Sequence, residues 1–150
     1  MATIFNRIIK GEIPCYKIAE NDKFFAFLDI NPLKKGHTLV VPKHEEDYIF
    51  NLDDQEIAEM MVFAKKVAKA IEKAIPCKRI AVAVLGLEVP HAHIHLVPIS
   101  SEGDMDFRGK HEQLTEQEFV EVQKAITQYL KSCLTTGCNL FVCFIAYHAA

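Results

Sequence analysis

The segment His91-Ala92-His93-Ile94-His95-Leu96-Val97 places an imidazole at every second position, with apolar side chains between. A period of two belongs to extended chain, whose successive side chains point to opposite faces. The spacing therefore predicts a strand over 91–97, with Ala92, Ile94 and Leu96 turned into a core. His91, His93 and His95 would share the other face, neighbouring rings roughly 6 to 7 Å apart, twice the rise per residue. Such a strand needs a sheet beside it and a layer over its apolar face.

The chain supplies both. Cys15 to Ala19 and Phe24 to Asp29 read as a hairpin around the turn-prone Glu20-Asn21-Asp22. His37 to Val41 is a β-branched run stopped by Pro42, and Arg79 to Leu85 is a further strand. From Leu52 the period changes: Ile57, Met60, Ala64, Val67, Ala68, Ile71 and Ile75 recur at helical spacing on one face. Asp53 and Glu56 form a capping pair at its start, and Pro76 follows its end. Thr115 and Glu118 make a second capping box ahead of Phe119, Val122, Ile126 and Leu130. Ile4 to Lys10 fits a short helical turn ended by Gly11 and Pro14. Met60 and Met61 read as core filler, because thioethers adapt to irregular packing.

A chain of 150 residues, half of them hydrophobic and a quarter charged, has the size and composition of one globular domain. Residues 1–134 read as that domain and 135–150 as a C-terminal tail. The apolar stretch Cys138 to Tyr147 within the tail suits a buried strand or a dimer contact; a membrane-surface contact or a segment foreign to the domain are the alternatives. Seventeen basic against twenty acidic side chains leave a formal charge of −3, which argues against nucleic acid or an anionic membrane as partner. The start lacks the apolar run of a secretory signal, so the expected location is the cytoplasm. Five cysteines, Cys15, Cys77, Cys133, Cys138 and Cys143, with no Cys-x-x-Cys pair, fit free thiols better than disulfides or a structural zinc.

Imidazole is the side chain that titrates near neutral pH and the commonest metal ligand, so a face carrying several admits two chemistries. One is a metal site built on His-x-His, with only Glu88 as a nearby acidic ligand. The other is covalent catalysis, in which a neutral imidazole attacks an electrophile while cationic neighbours stabilise the developing charge. His44 and His111 read as surface residues.

The motif His-hydrophobic-His-hydrophobic-His followed by two hydrophobics, met by HAHIHLV at every position, resembles that of the histidine triad (HIT) superfamily. The resemblance extends through TIFNRIIKGEIP and FFAFLDINPLKKGHTLVVPKH, and in order along roughly residues 3 to 130. It is nearest to Hint-like and bacterial HIT hydrolases. It implies an α+β fold with a five-stranded antiparallel sheet and two main helices, and a two-fold homodimer whose sheets join. The implied activity is hydrolysis or transfer at the α-phosphate of purine nucleoside monophosphate conjugates, of phosphoramidate, acyl-adenylate or dinucleoside polyphosphate type. It proceeds through a nucleotidyl-histidine intermediate, with no cofactor and no required metal. A nucleotide-binding regulatory or scaffold dimer with incidental catalysis, and a metal-dependent hydrolase using the same histidines, are the rival readings.

Carried over by position, the resemblance makes His93 the nucleophile, His95 the contact to a non-bridging phosphate oxygen, His91 an orienting residue and His37 a further histidine of the cluster. Asp29 takes the ribose hydroxyls. Phe5, Ile8, Phe27 and Ile30, with Ile4, make the base pocket. The departures fall on the leaving-group side. Where relatives often carry Gly-Gln-Ser or Gly-Gln-Thr, this chain has Gly86-Leu87-Glu88, and Glu88 is the expected proton donor to the leaving group. Thr3 and Asn6 occupy the positions of two zinc-binding cysteines in some bacterial relatives, so no structural zinc is expected.

Overall fold

The fold rests on a computed structural model that describes residues 3–135. Its elements are α1 (Ile4–Ile9), β1 (Lys17–Glu20), β2 (Phe24–Leu28), β3 (Thr38–Pro42), α2 (Asp54–Ala74), β4 (Arg79–Ala83), β5 (Ile94–Ile99) and α3 (Glu116–Thr135). The strands form one five-stranded sheet in the order β1-β2-β3-β5-β4, every neighbouring pair antiparallel. The apolar stretch 138–147 lies outside the described residues.

Alternation along the inner strands equips both faces. Phe24, Ala26 and Leu28 of β2, Val40 of β3, and Ile94 and Leu96 of β5 pack with Met60, Ala64, Val67 and Ile71 of α2 and with Phe119, Val122 and Ile126 of α3. Met60 is fully buried there, as core filler, whereas Met61 is half exposed. The odd residues Phe25, Phe27, Leu39 and Val41 join Phe5 of α1 in a second cluster on the opposite face. Burial on both sides explains why Phe24 to Leu28 is an unbroken apolar run rather than an alternating one.

The caps form as their residue types require. The Asp53 carboxylate accepts the Glu56 N–H at 2.8 Å. At α3, Thr115 Oγ1 accepts the Glu118 N–H at 3.2 Å while the Glu118 carboxylate accepts the Thr115 N–H at 2.8 Å.

The histidine segment departs from the expected strand over 91–97. Strand β5 begins only at Ile94, so His91 and His93 precede it and His95 alone lies within it. The pairing Thr38↔Leu96, Leu39↔His95, Val40↔Ile94, continued by two residues, would set Ala92 opposite Pro42, which has no N–H to give. Instead the Ala92 N–H goes to the Glu46 carbonyl at 2.6 Å, and the Pro42 carbonyl accepts from His91 Nε2 at 2.8 Å. Released from extended geometry, the rings close up: the centroids of His93 and His95 are 4.7 Å apart.

Candidate active site

His37, His91, His93 and His95 converge on the sheet face opposite the two long helices, all of them buried. His37 stands immediately before β3, after Gly36, whose φ of +94° and close approach to Ile75 and Pro98 leave no room for a side chain. His91 and His93 are held by the turn that the Pro42 gap creates, and His95 by the strand.

The partners of these rings fix where each proton sits. The Leu33 N–H donates to His37 Nδ1 at 3.1 Å, so His37 carries its proton on Nε2. That N–H donates to His95 Nδ1 at 3.0 Å, which leaves the His95 proton on Nε2. His93 donates from Nδ1 to the His91 carbonyl at 2.7 Å, leaving a lone pair on Nε2. His91 donates from Nε2 to the Pro42 carbonyl, so its Nδ1 accepts from Thr3 Oγ1 at 3.0 Å. The Thr3 hydroxyl in turn accepts the Asn6 N–H at 3.2 Å as the N-cap of α1. No buried side-chain nitrogen or oxygen lacks a partner among the described residues, so the unbonded Nε2 atoms of His93 and His95 are the ones that reach solvent. The site thus presents one lone pair and, beside it, one N–H donor.

Electrostatics agree. Burial, with the like charges of His95, His111 and His93, lowers the His37 pKa to about 3, and burial with His93 lowers that of His95 to about 4. His91 is also lowered, burial outweighing the Pro42 carbonyl. The neighbours of His93 are therefore neutral donors at pH 7 and not the cations anticipated from the motif.

Asp29 sits just past β2 with its side chain about a fifth exposed, its Oδ2 3.8 Å from His37 Nδ1. Its Oδ1 accepts the Asn31 N–H at 2.9 Å, and burial raises its pKa. Phe5 packs edge-on against His93 at 5.2 Å and against Phe27 at 5.5 Å, and Ile8 backs the same cluster. Ile4 is half exposed and Ile30 three-quarters exposed, outside both clusters. Glu88 is exposed, makes no hydrogen bond or ion pair among the described residues, and is near enough for its charge to act on Asp29 and His111.

Three residues of this site carry no sequence signal of their role. Phe107 lies edge-on to His95 at 4.9 Å and comes from an aperiodic loop. His111, read as a surface residue, is half-buried and bonded to the carbonyls of Asn31 and Phe107. Thr3 joins a helix cap to a site histidine. His44 is exposed, paired with Glu56 at 2.7 Å.

A metal would find a poor donor set here. Asp29, His37 and His95 bring ligand atoms within 4.8 Å of one another, but His37 Nδ1, His37 Nε2 and His95 Nδ1 are already committed to hydrogen bonds. His91 and His93 stand outside that group. At the positions of the relatives' zinc thiolates, Thr3 caps α1 and Asn6 Nδ2 donates to Glu45. No described helix is long and apolar enough to cross a membrane.

The HIT domain family matches residues 10–102. An uncharacterized HIT-like protein of Borreliella burgdorferi is 36% identical over 132 residues, spanning 83% of this chain and 95% of its own length. The adenosine 5'-monophosphoramidase hnt1 of Schizosaccharomyces pombe is 39% identical over 103 residues, 68% of this chain and 77% of its own. Among solved structures, a hypothetical histidine triad nucleotide-binding protein from Sulfolobus tokodaii superposes with a TM-score of 0.75 at 25% identity, covering 91% of this chain and 97% of its own.

Proposed function

The chain belongs to the HIT domain family, and on that premise we propose that it hydrolyses purine nucleoside monophosphate conjugates at the α-phosphate, with an adenosine phosphoramidate as the representative substrate. The observation that carries this reading is the His93 Nε2 lone pair, fixed by the Nδ1–H bond to the His91 carbonyl and flanked by the neutral His95 Nε2–H. His93 Nε2 attacks phosphorus, a P–N bond forms, and the bond from phosphorus to the leaving amine breaks with its electron pair on the amine. The amine takes up a proton, for which Glu88 is the proposed donor. His95 Nε2–H donates to a non-bridging oxygen, where charge accumulates, and is held in aim by His37. Water then attacks phosphorus and gives its proton to the Glu88 carboxylate left by the first step, the P–N bond to His93 breaks with its electron pair on Nε2, and the nucleotide leaves with imidazole and carboxyl both restored. Asp29 accepts from the ribose hydroxyls, and Phe5, Phe27 and Ile8 line the base side, with Ile4 and Ile30 at its rim.

The relative named as an adenosine 5'-monophosphoramidase supports the phosphoramidate class. A homodimer is part of the proposal: β4 is an outer strand, and Val82, Val84 and Leu85 on and beyond it are 40% to 50% exposed. The free thiols of Cys15 and Cys77 suit a reducing cytoplasm.

Intact-protein mass measurement after a quench that avoids acid tests the mechanism, with wild type and His93→Ala each mixed with adenosine 5'-phosphoramidate and with a diadenosine polyphosphate. A gain of one adenylate on wild type and none on the variant is expected. Turnover by His93→Ala, or activity that requires an added metal, would overturn the covalent route. Tight nucleotide binding with no adduct and no turnover would favour a binding scaffold.

A further inference from the structure

His111 faces a backbone carbonyl with each of its ring nitrogens: Nδ1 is 2.7 Å from the Asn31 oxygen and Nε2 3.2 Å from the Phe107 oxygen. A carbonyl only accepts, so both bonds exist together only when both nitrogens carry protons. The ring therefore acts as an imidazolium cross-link between two loops. Each loop delivers a group to the site. Asn31 closes the turn in which its own N–H binds Asp29 Oδ1, and Phe107 stands against the ring of His95.

We propose that His111 is a positioning residue whose cationic ring ties the Asp29 turn to the Phe107 segment, so that the ribose-binding carboxylate and the aromatic wall beside His95 are set together. The inference rests on the nucleotide-hydrolase reading for its ligand and on this chain's own geometry for the clamp.

The charges around the ring favour the cation. Asp29 lies on the β2 side and Glu88 on the segment before His91; both raise the His111 pKa, after the larger effects of the Asn31 and Phe107 carbonyls, while burial opposes them. His37, just ahead of β3, is held neutral by its own burial. On the loop itself Glu112 is occupied: its carboxylate takes the Lys35 N–H at 2.6 Å and lies 3.5 Å from Lys34 Nζ. Lys34 also pairs with Asp104 at 3.2 Å. These neighbouring ties hold the 102–112 segment to the 32–35 loop, but His111 is the residue that reaches Asn31 and Phe107 themselves.

The sign of the pH effect follows. A histidine raised on folding has its clamp complete below its ordinary pKa, and the clamp is lost as pH rises through the raised value. Loss of the proton leaves one of the two carbonyls without its donor: loss from Nδ1 breaks the bond across to Asn31, and loss from Nε2 releases Phe107, four residues back in the same segment.

Two measurements on the full chain test the clamp. Nitrogen-15 NMR titration of wild type reads the ring directly: both His111 nitrogens are expected to be protonated at neutral pH, with a midpoint above the ordinary histidine value. A midpoint at or below that value, or a single protonated nitrogen at neutral pH, overturns the proposal. Calorimetric binding of adenosine, which has no group titrating near neutrality, reads the consequence from mildly acidic to mildly alkaline pH. Wild-type affinity is expected to fall as His111 deprotonates. His111→Ala should bind about tenfold more weakly at the acidic end and lose the pH step, the size expected for charge-assisted bonds. His111→Arg, which keeps a cation and several donors, should recover most of the affinity while losing the step. Wild-type affinity and pH dependence in His111→Ala overturn the positioning role. If wild type binds no adenosine at all, the nucleotide reading fails, and the NMR titration still decides the clamp.

Discussion

At the scale of single residues, one backbone donor decides the protonation of two rings. The Leu33 N–H commits His37 Nδ1, and that commitment passes through His37 to place the His95 proton on its solvent-facing nitrogen. The cost of holding such rings away from water appears as a dependence on acid. A histidine whose pKa is lowered on folding contributes fully above its ordinary value of 6.5 and loses that contribution as pH falls toward about 3 for His37 and about 4 for His95. Asp29, raised by burial, runs the other way and softens the loss. Urea unfolding should therefore show stability declining from pH 6.5 toward 4, with a shallower decline in His37→Gln; parallel profiles for the two proteins would count against the assignment. Thr3 offers a second residue-scale test. Thr3→Val removes the N-cap of α1 and the donor to His91 Nδ1 together, a change expected to cost about 2 kcal/mol. Thr3→Ser should restore most of that, and equal urea midpoints for Val and Ser would show that the hydroxyl does not matter. For Glu88, slower turnover and a displaced pH–rate profile are expected in Glu88→Gln, and an unchanged profile would remove it as proton donor.

At the scale of elements, what could be read from the chain and what could not divide along a physical line. The helical periods of Ile57 to Ile75 and Phe119 to Leu130 mark α2 and α3 because a helix buries one face whatever it packs against. The five strands were legible as apolar or β-branched runs, and the convergence of His37 and Asp29 on the triad came from the family motif. The start of β5 was not legible from the period of two. It depends on Pro42, a residue of the neighbouring strand, and on a register that only the folded sheet defines. The roles of Phe107 and His111 were hidden for the same reason, since their partners are a ring and carbonyls of distant loops. Gly36 shows how tightly one such junction is made. Alanine there would bring Cβ to 2.9 Å from Ile75 Cγ1 and 3.2 Å from Pro98 Cγ, on top of the strain of a positive φ. Gly11, at φ +75° with nothing within 4 Å, isolates the backbone part. Thermal unfolding should place Gly11→Ala about 1 kcal/mol below wild type and Gly36→Ala well below that. Gly36→Ala should also lower turnover through His37, while equal costs at the two glycines would mean that the α2 end yields to the new methyl.

At the scale of the whole molecule, the two long helices cover one sheet face and leave the other to chemistry, and the two ends of the sheet differ in what covers them. The β1 end is attended by α3, whose Gln123 Nε2 donates to the Lys17 carbonyl at 2.9 Å. The β4 end has apolar side chains instead: Val82 is 50% exposed, Val84 40% and Leu85 50%. An outer strand with unpaired backbone groups and exposed branched side chains pairs readily with another strand. Among possible partners a second copy is the economical one, because a two-fold axis lets the same patch serve both sides and extends two sheets into one. Such pairing lies close to the chemistry, because Ala83 of β4 pairs with His95 of β5. Sedimentation velocity of wild type is accordingly expected to give a dimer at micromolar concentration. Val82→Asp, set on each side of the axis, places like charges across the joint and should shift the protein to monomer. A monomeric wild type, or a Val82→Asp protein that remains dimeric, would move the interface away from β4. Turnover separates the consequences: a monomer with full activity would show each site to be complete in one chain, whereas a fall in step with dimer dissociation would mean that pairing steadies β5 and the donor on His95.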